Sequence, residues 1–382
     1  MSFLARPGRP RILYVIQQED YSGAELMHLP VLRADPDPLL ACPPGSRTEQ
    51  MFAAELGLPT VPLPFRPLRH SDGLLTTLRS VGRGLRTALD LRRVLRAHPE
   101  RAIIYCTSMR PALVASLASI GLGRRVLWTI CEFQPPAPLR QAVHALAWLR
   151  CHRALAHSHA VERDFVGRSR RLARRTRVAY LPGVAPDSDQ LRPLAPGRQR
   201  AAIVGSVTPR KRVELAIEAA RLVGAEVPEF ELLVIGRGQF RPEDLDFDER
   251  LRTRVAASPE LAERIRFVGH SRDVPALLAQ CGLLLHCCDH EPLGSVLIEA
   301  MDLGLPIVAP NAGGPGEIIV HGTTGFLFPP GNARAAADAV LRLLREPGTA
   351  RAMSEATRSH AARHFGAQQQ LSVVEGLLAE FA

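Results

Sequence analysis

Short apolar runs rich in β-branched residues alternate along the chain with longer stretches whose apolar positions recur at helical spacing. That rhythm predicts βαβ units and parallel sheets, because a parallel strand needs a crossover helix before the next one. In the first half, strands are expected at 11–16, 38–42, 60–64, 102–106, 125–130 and 177–181. In the second they are expected at 200–205, 231–236, 265–269, 283–286, 306–309 and 325–328. The clearest helices are expected at 72–97, 211–223 and 295–303, with a helical tail over 350–382. Prolines at 182, 186, 193 and 196 break the pattern over 182–197 and mark a boundary between two doubly wound α/β domains. Ligands bind such sheets beyond the carboxyl ends of the strands, so the residues just after each strand are the ones to weigh.

A chain of 382 residues suits two such domains. With 46% hydrophobic and 23% charged residues it has the make-up of a globular protein, and no apolar run reaches the roughly 20 residues of a membrane span. The amino-terminal residues lack a signal-peptide core, which leads us to expect a cytoplasmic protein. Seven cysteines without a C-x-x-C pair point to neither a disulfide framework nor a zinc site. The net charge of +10 is uneven: residues 1–190 carry +12 and residues 191–382 carry −2. Four tyrosines and two tryptophans form no stacking platform, so nucleic acid is not an expected partner.

Against 47 arginines stands one lysine, Lys211, in Gly-Ser-Val-Thr-Pro-Arg-Lys-Arg at 205–212. An ammonium is a compact point charge, and beside a strand-to-helix turn it suits a diphosphate. With Arg210 before it and Arg212 after it, the lysine is not in a Walker loop. A strand running into Gly236 and Gly238 permits close backbone approach to a flat ligand. In the segment 290–306, Glu291 precedes a helix and Glu299 lies within it among apolar neighbours. A buried carboxylate there must be paired or must accept from a ligand hydroxyl. Three acids at strand ends, Glu19, Asp20 and Glu132, suit a hydroxylated or amine-bearing small molecule, unless they serve to pair with nearby arginines.

The unbroken series from Glu291 to Ala309, the Gly313-Gly314-x-x-Glu317 turn and Thr324-Gly325 resemble the retaining GT-B glycosyltransferases of glycosyltransferase family 4. Ser22-Gly23-Ala24-Glu25 resembles, more loosely, that family's first glycine-rich turn. The resemblance implies two Rossmann-like domains facing across a cleft. These are an acceptor domain at 1–190, a nucleotide-sugar domain at 191–365 and a helix at 366–382 returning to the first. It implies that Arg210 and Lys211 neutralise the departing diphosphate and that Glu291 holds donor-sugar hydroxyls. Glu299 would accept the ribose hydroxyls, and the N–H groups of Leu293, Gly294 and Ser295 would cradle sugar or phosphate. Gly205 and Gly236 would line the donor, with Gly23 beneath the diphosphate. No metal or other cofactor is implied, and Asp244, Asp246 and Asp248 are expected in a solvated loop.

Cys131 stands where the family often has a histidine, so that role is not carried over, and Cys131 and Glu132 are read only as lining the acceptor. The expected partners are a nucleoside-diphosphate sugar and a small polar acceptor, as in natural-product assembly. The alternatives are a membrane-associated enzyme acting on a lipid or envelope precursor and a catalytically dead nucleotide-sugar-binding protein. Helix 72–97, with Leu74, Leu78, Leu85, Leu89 and Leu95 on one side, is read as packed on its sheet rather than lying on a membrane. Lys211→Ala is expected to cost turnover far more than folding, on the premise that this cation is exposed.

Overall fold

The computed structural model describes residues 3–4, 6, 8–19, 28–65, 74–183, 199–239, 241–271 and 273–381, with backbone alone for 74–80. The chain forms two compact units, Met1–Leu181 with Ala367–Ala382, and Pro182–Gly366. Most of the proline-rich boundary stretch lies outside the described residues.

The first unit is built on seven parallel strands: β1 (Arg11–Val15), β2 (Leu39–Cys42), β3 (Thr60–Pro62), β4 (Arg101–Cys106), β5 (Arg125–Ile130), β6 (Arg153–Ala156) and β7 (Thr176–Val178). Their order is β3-β2-β1-β4-β5-β6-β7. β6 was not expected: Arg-Ala-Leu-Ala is short and holds no β-branched residue. The inner strands β2, β4 and β5 are buried on both faces and read as nearly continuous apolar runs, whereas the edge strands β3 and β7 are partly exposed. One face is covered by helices Leu74–Ala97, Met109–Ala118, Leu139–Arg150 and Arg170–Arg175. The other is covered by helices Leu29–Ala34 and Ala367–Ala379, the latter placing Val374, Leu377 and Leu378 in the core. In helix Leu74–Ala97 the sheet-facing residues are Ala88, Leu91 and Leu95. Leu85 and Leu89 do not join Leu95 there, as expected from the sequence, but face outward at 50% and 57% exposure. Leu74 and Leu78 have no described side chain.

The second unit has six parallel strands, β8 (Arg200–Val204), β9 (Glu231–Ile235), β10 (Ile265–Gly269), β11 (Leu283–Leu285), β12 (Ile307–Pro310) and β13 (Gly325–Phe328), in the order β10-β9-β8-β11-β12-β13. Between β8 and β11 the winding direction reverses. The loops leaving those two strands diverge there and open a crevice. The chain after β8 carries Gly205 to Lys211, and the chain after β11 carries His286 to Glu291.

Candidate functional site

The loops leaving β8 and its neighbour β9 are shaped by glycine. Gly205 and Gly236 have φ of +140° and +141°, a region where a side chain is strained. A Cβ on Gly236 would lie 1.9 Å from the carbonyl oxygen of Gly205, and one on Gly205 would lie 3.3 Å from Lys211 Cε. The absence of both side chains lets β8 and β9 end side by side and leaves room for the lysine stem.

Lys211 does not open the following helix, as expected from the sequence. It ends a 3-10 turn, Pro209–Lys211, and Arg212 follows in the left-handed region at φ +54°, before helix Val213–Gly224. Arg212 is the only non-glycine residue with positive φ among those described. Such strain collects at functional sites.

Lys211 Nζ lies 2.5 Å from Glu291 Oε2, Arg210 Nη1 lies 3.8 Å from it and His286 Nε2 3.6 Å. The Lys211 side chain is 15% exposed and that of Glu291 is 9% exposed, so the lysine is no exposed cation and the premise that its loss spares folding is corrected. Burial alone would raise the Glu291 carboxyl, but Lys211, His286 and Arg210 reverse this and hold it at about 2. Burial lowers His286 to about 4, helped by Lys211 and Arg210 against the pull of Glu291. The imidazole is therefore neutral near pH 7. Cys288 Sγ accepts from Arg210 at 3.7 Å, and burial raises its thiol. His286, Cys288 and Glu291 could in principle bind a metal ion. Here an ammonium and a guanidinium already face that carboxylate.

Beyond Glu291, Gly294 turns at φ +89° and caps helix Ser295–Asp302 without a side chain, so the first-turn N–H groups have no side-chain acceptor. Leu293 is buried and Ser295 half-buried at this turn. Gly313 and Gly314 pack on this loop, with Gly314 N–H donating to the Glu291 carbonyl at 2.9 Å; a Cβ on Gly313 would lie 2.4 Å from that oxygen. The carboxylate of Glu299, half-buried, has no hydrogen-bond or ion-pair partner among the described residues. Burial, then repulsion from Asp302, raises its carboxyl to about 7, and burial raises Asp302 to about 6.

The remaining expectations fare differently. Asp20 and Gly23 lie outside the described residues. Glu19 is exposed four residues beyond β1, and Cys131 is a half-buried cysteine just beyond β5, with β4 between those strands. Glu132 keeps exposed surface, yet crowding by its neighbours raises its carboxyl against the pull of Arg110. It thus has a cationic neighbour, the arrangement weighed against an acceptor role. Asp244, Asp246 and Asp248 are not in a loop but on helix Pro242–Ala256. Asp248 is buried there and accepts from Gly238 N–H at 2.7 Å, which pins the turn after β9. Sequence reasoning missed His286 and Cys288 altogether; the only signal was their place just after β11.

Comparison with known proteins bears on this geometry. Residues 188–360 match the family model of glycosyl transferases group 1. The match takes in somewhat less than half of the chain. N-acetyl-alpha-D-glucosaminyl L-malate synthase of Bacillus anthracis is 31% identical over 165 residues, 43% of this chain and 41% of that protein. Alpha-D-kanosaminyltransferase of Streptomyces kanamyceticus is 31% identical over 154 residues, 40% of this chain and 38% of that protein. The chain thus spans about two-fifths of the length of these curated relatives. The crystal structure of Anabaena HepE in complex with UDP superposes with a TM-score of 0.79 at 21% identity, covering 97% of this chain and 100% of that one. The fold is therefore GT-B, with two Rossmann-like units. Among the described residues no helix is long and apolar enough to cross a membrane.

Proposed function

We propose that the chain is a retaining, metal-independent glycosyltransferase of family 4 that moves a sugar from a nucleoside-diphosphate donor to a small polar acceptor in the cytoplasm. The observation that carries the reading is the meeting of Arg210, Lys211 and Glu291 at the switch point of the second sheet, beside the uncapped start of helix Ser295–Asp302. In glycosyl transfer, positive charge develops at the anomeric carbon while negative charge grows on the leaving phosphate. Cations fixed at that phosphate stabilise the transition state more than the ground state.

In this reading Lys211 and Arg210 receive the diphosphate, and the N–H groups of Leu293, Gly294 and Ser295 add donors. Glu291, held ionised, accepts from sugar hydroxyls while steadying Lys211. Glu299, lacking a protein partner, accepts from the ribose, whose hydroxyls would supply the missing hydrogen bonds. The two cations at Glu291 supply the charge that a metal would otherwise bring, which supports metal independence. The resemblance to family 4 supports retention. The name of the relative N-acetyl-alpha-D-glucosaminyl L-malate synthase supports a small polar acceptor and a biosynthetic role.

The test is a panel of UDP-, GDP- and ADP-sugars with pooled acceptors in the presence of a chelator, with the product anomer read by NMR. Transfer with retained configuration is expected. Nucleotide-sugar binding without turnover would identify a binding protein instead, and release of an epimerised sugar without acceptor would identify an epimerase. Loss of all turnover on chelation would overturn the metal-free step.

A further inference from the structure

Eleven large hydrophobic side chains are exposed among the described residues, and eight of them lie on one helical layer of the first unit. Val81, Leu85 and Leu89 form an outward stripe on helix Leu74–Ala97. Leu117 and Ile120 follow at the end of helix Met109–Ala118, and Leu139, Trp148 and Leu149 stand on helix Leu139–Arg150. These helices are neighbours. Between them runs an apolar groove of about 260 Å³, lined by Val81, Leu85, Leu113, Leu117, Leu139 and Val143. A concentration of this kind marks a surface made to be covered.

The charge of the same layer says by what. Residues 81–97 hold five arginines and one acid, and residues 168–177 hold six arginines and none. Arg86, Arg96, Arg168, Arg170 and Arg174 are exposed and have no carboxylate partner among the described residues. Arg171 stacks 4.4 Å from the Trp148 ring centre and brings positive charge to the apolar stripe itself. A second copy set against this face would oppose arginine to arginine, whereas an anionic surface relieves that repulsion. Apolar side chains ringed by unpaired cations fit the boundary between lipid headgroups and acyl chains.

We propose that this face docks peripherally on a bilayer containing anionic lipid, with Leu85, Leu89, Trp148 and Leu149 at the acyl boundary and the arginines on lipid phosphates. The docking is separate from the transfer chemistry and is read without donor or acceptor. The full chain is centrifuged with vesicles of phosphatidylcholine alone, or mixed in equal parts with phosphatidylglycerol. Binding is expected only to the mixed vesicles and is expected to weaken as salt rises. Trp128 is fully buried, so the half-exposed Trp148 reports insertion by a blue shift of emission that Trp148→Phe removes. The combined variant Leu85→Ser, Leu89→Ser, Leu149→Ser is expected to fold, since all three positions are at least half exposed, and to bind about tenfold or more weakly.

Three results would overturn the proposal. One is absence of the chain from the mixed-vesicle pellet at low salt. Another is undiminished binding by the triple variant, which would leave charge alone as the attraction. The third is a concentration-dependent dimer that the triple variant abolishes, which would make the face an interface between copies or, with an acidic protein in place of vesicles, a protein-docking site.

Discussion

The two sheets share a winding pattern and treat polar groups at their carboxyl edges in opposite ways. In the second unit the edge gathers charge: Lys211 and Arg210 face an ionised Glu291. In the first unit, away from Glu132 and its neighbour Arg110, part of the edge gathers buried neutral groups. His28 Nδ1 lies 3.1 Å from the Tyr105 hydroxyl, and the His28 and His157 rings are 5.7 Å apart. Both ring nitrogens of His157 are buried without a partner among the described residues. Burial lowers His28 to about 4, lowers His157 well below the ordinary imidazole range and raises Tyr105. One topology therefore supports a site where fixed charge is stored and another from which charge is excluded. The difference lies in which side chains the post-strand loops deliver.

Lys211→Met is the sharpest way to break this contrast. It should reduce transfer about a hundredfold or more, the loss typical of removing one donor from a developing anion. It should also destabilise the unit by about 2 kcal/mol, somewhat less than the usual loss for a broken buried pair because Arg210 and His286 stay near Glu291. Adding Glu291→Gln should restore much of the stability and none of the transfer. Denaturant titration beside a transfer assay separates the two effects, and near-normal turnover of the single variant would remove Lys211 from the chemistry.

Backbone packing offers the next test. Gly236→Ala forces a Cβ onto the Gly205 carbonyl at positive φ and should cost about 3 kcal/mol or prevent folding. In the first unit, Gly121→Ala also sits at positive φ but meets open space, and should cost about 1 kcal/mol. Equal losses in the two variants would mean that the tight crossing of the loops after β8 and β9 contributes nothing.

What could be read from the sequence follows the same division. The second unit's strands, its glycine turns and the Glu291–Glu299 spacing are local patterns, and local patterns are visible in one dimension. The contact between Lys211 and Glu291 joins positions 80 residues apart and depends on strand order, which no local pattern encodes. The left-handed Arg212 was hidden for another reason: a non-glycine residue carries no signal that its backbone will be strained. In the first unit, β6 was missed for want of β-branched residues. The outward leucines were misassigned because Leu85, Leu89, Leu91 and Leu95 span an apolar arc wider than one sheet can cover. Glu132 was legible as an acid at a strand end, but not its neighbour Arg110, 22 positions back in the chain.

Acid titration probes the neutral cluster. His28 takes up its proton near 6.5 when unfolded and near 4 when folded, so the unfolded chain binds more protons between those values. Its contribution is fully present above pH 6.5 and is lost as pH falls toward 4. His28→Phe should remove about 2 kcal/mol of that acid-induced loss. An unchanged pH profile of the denaturation midpoint would mean that the pair is not held neutral.

Glu299 gives the smallest effect and the opposite sign. Its carboxyl titrates near 4.5 in the unfolded chain and near 7 in the folded one, so here the folded chain binds more protons between those values. Stability is greatest below 4.5 and falls as pH rises through 7. Glu299→Gln should flatten that fall and leave the variant more stable than the wild type at pH 8 by about 1 kcal/mol, with the partial exposure of the side chain taken into account. If Glu299 accepts from ribose hydroxyls, donor binding favours the ionised form and should pull the titration down. Affinity for a nucleoside-diphosphate sugar, whose phosphates do not titrate in this range, should then strengthen by about tenfold from pH 5.5 to pH 8 in the wild type and stay flat in the glutamine variant. Calorimetry in two buffers of different ionisation enthalpy would count the proton released on binding. A wild-type affinity independent of pH, with no proton released, would detach Glu299 from the donor while leaving the pairing of Lys211 with Glu291 intact.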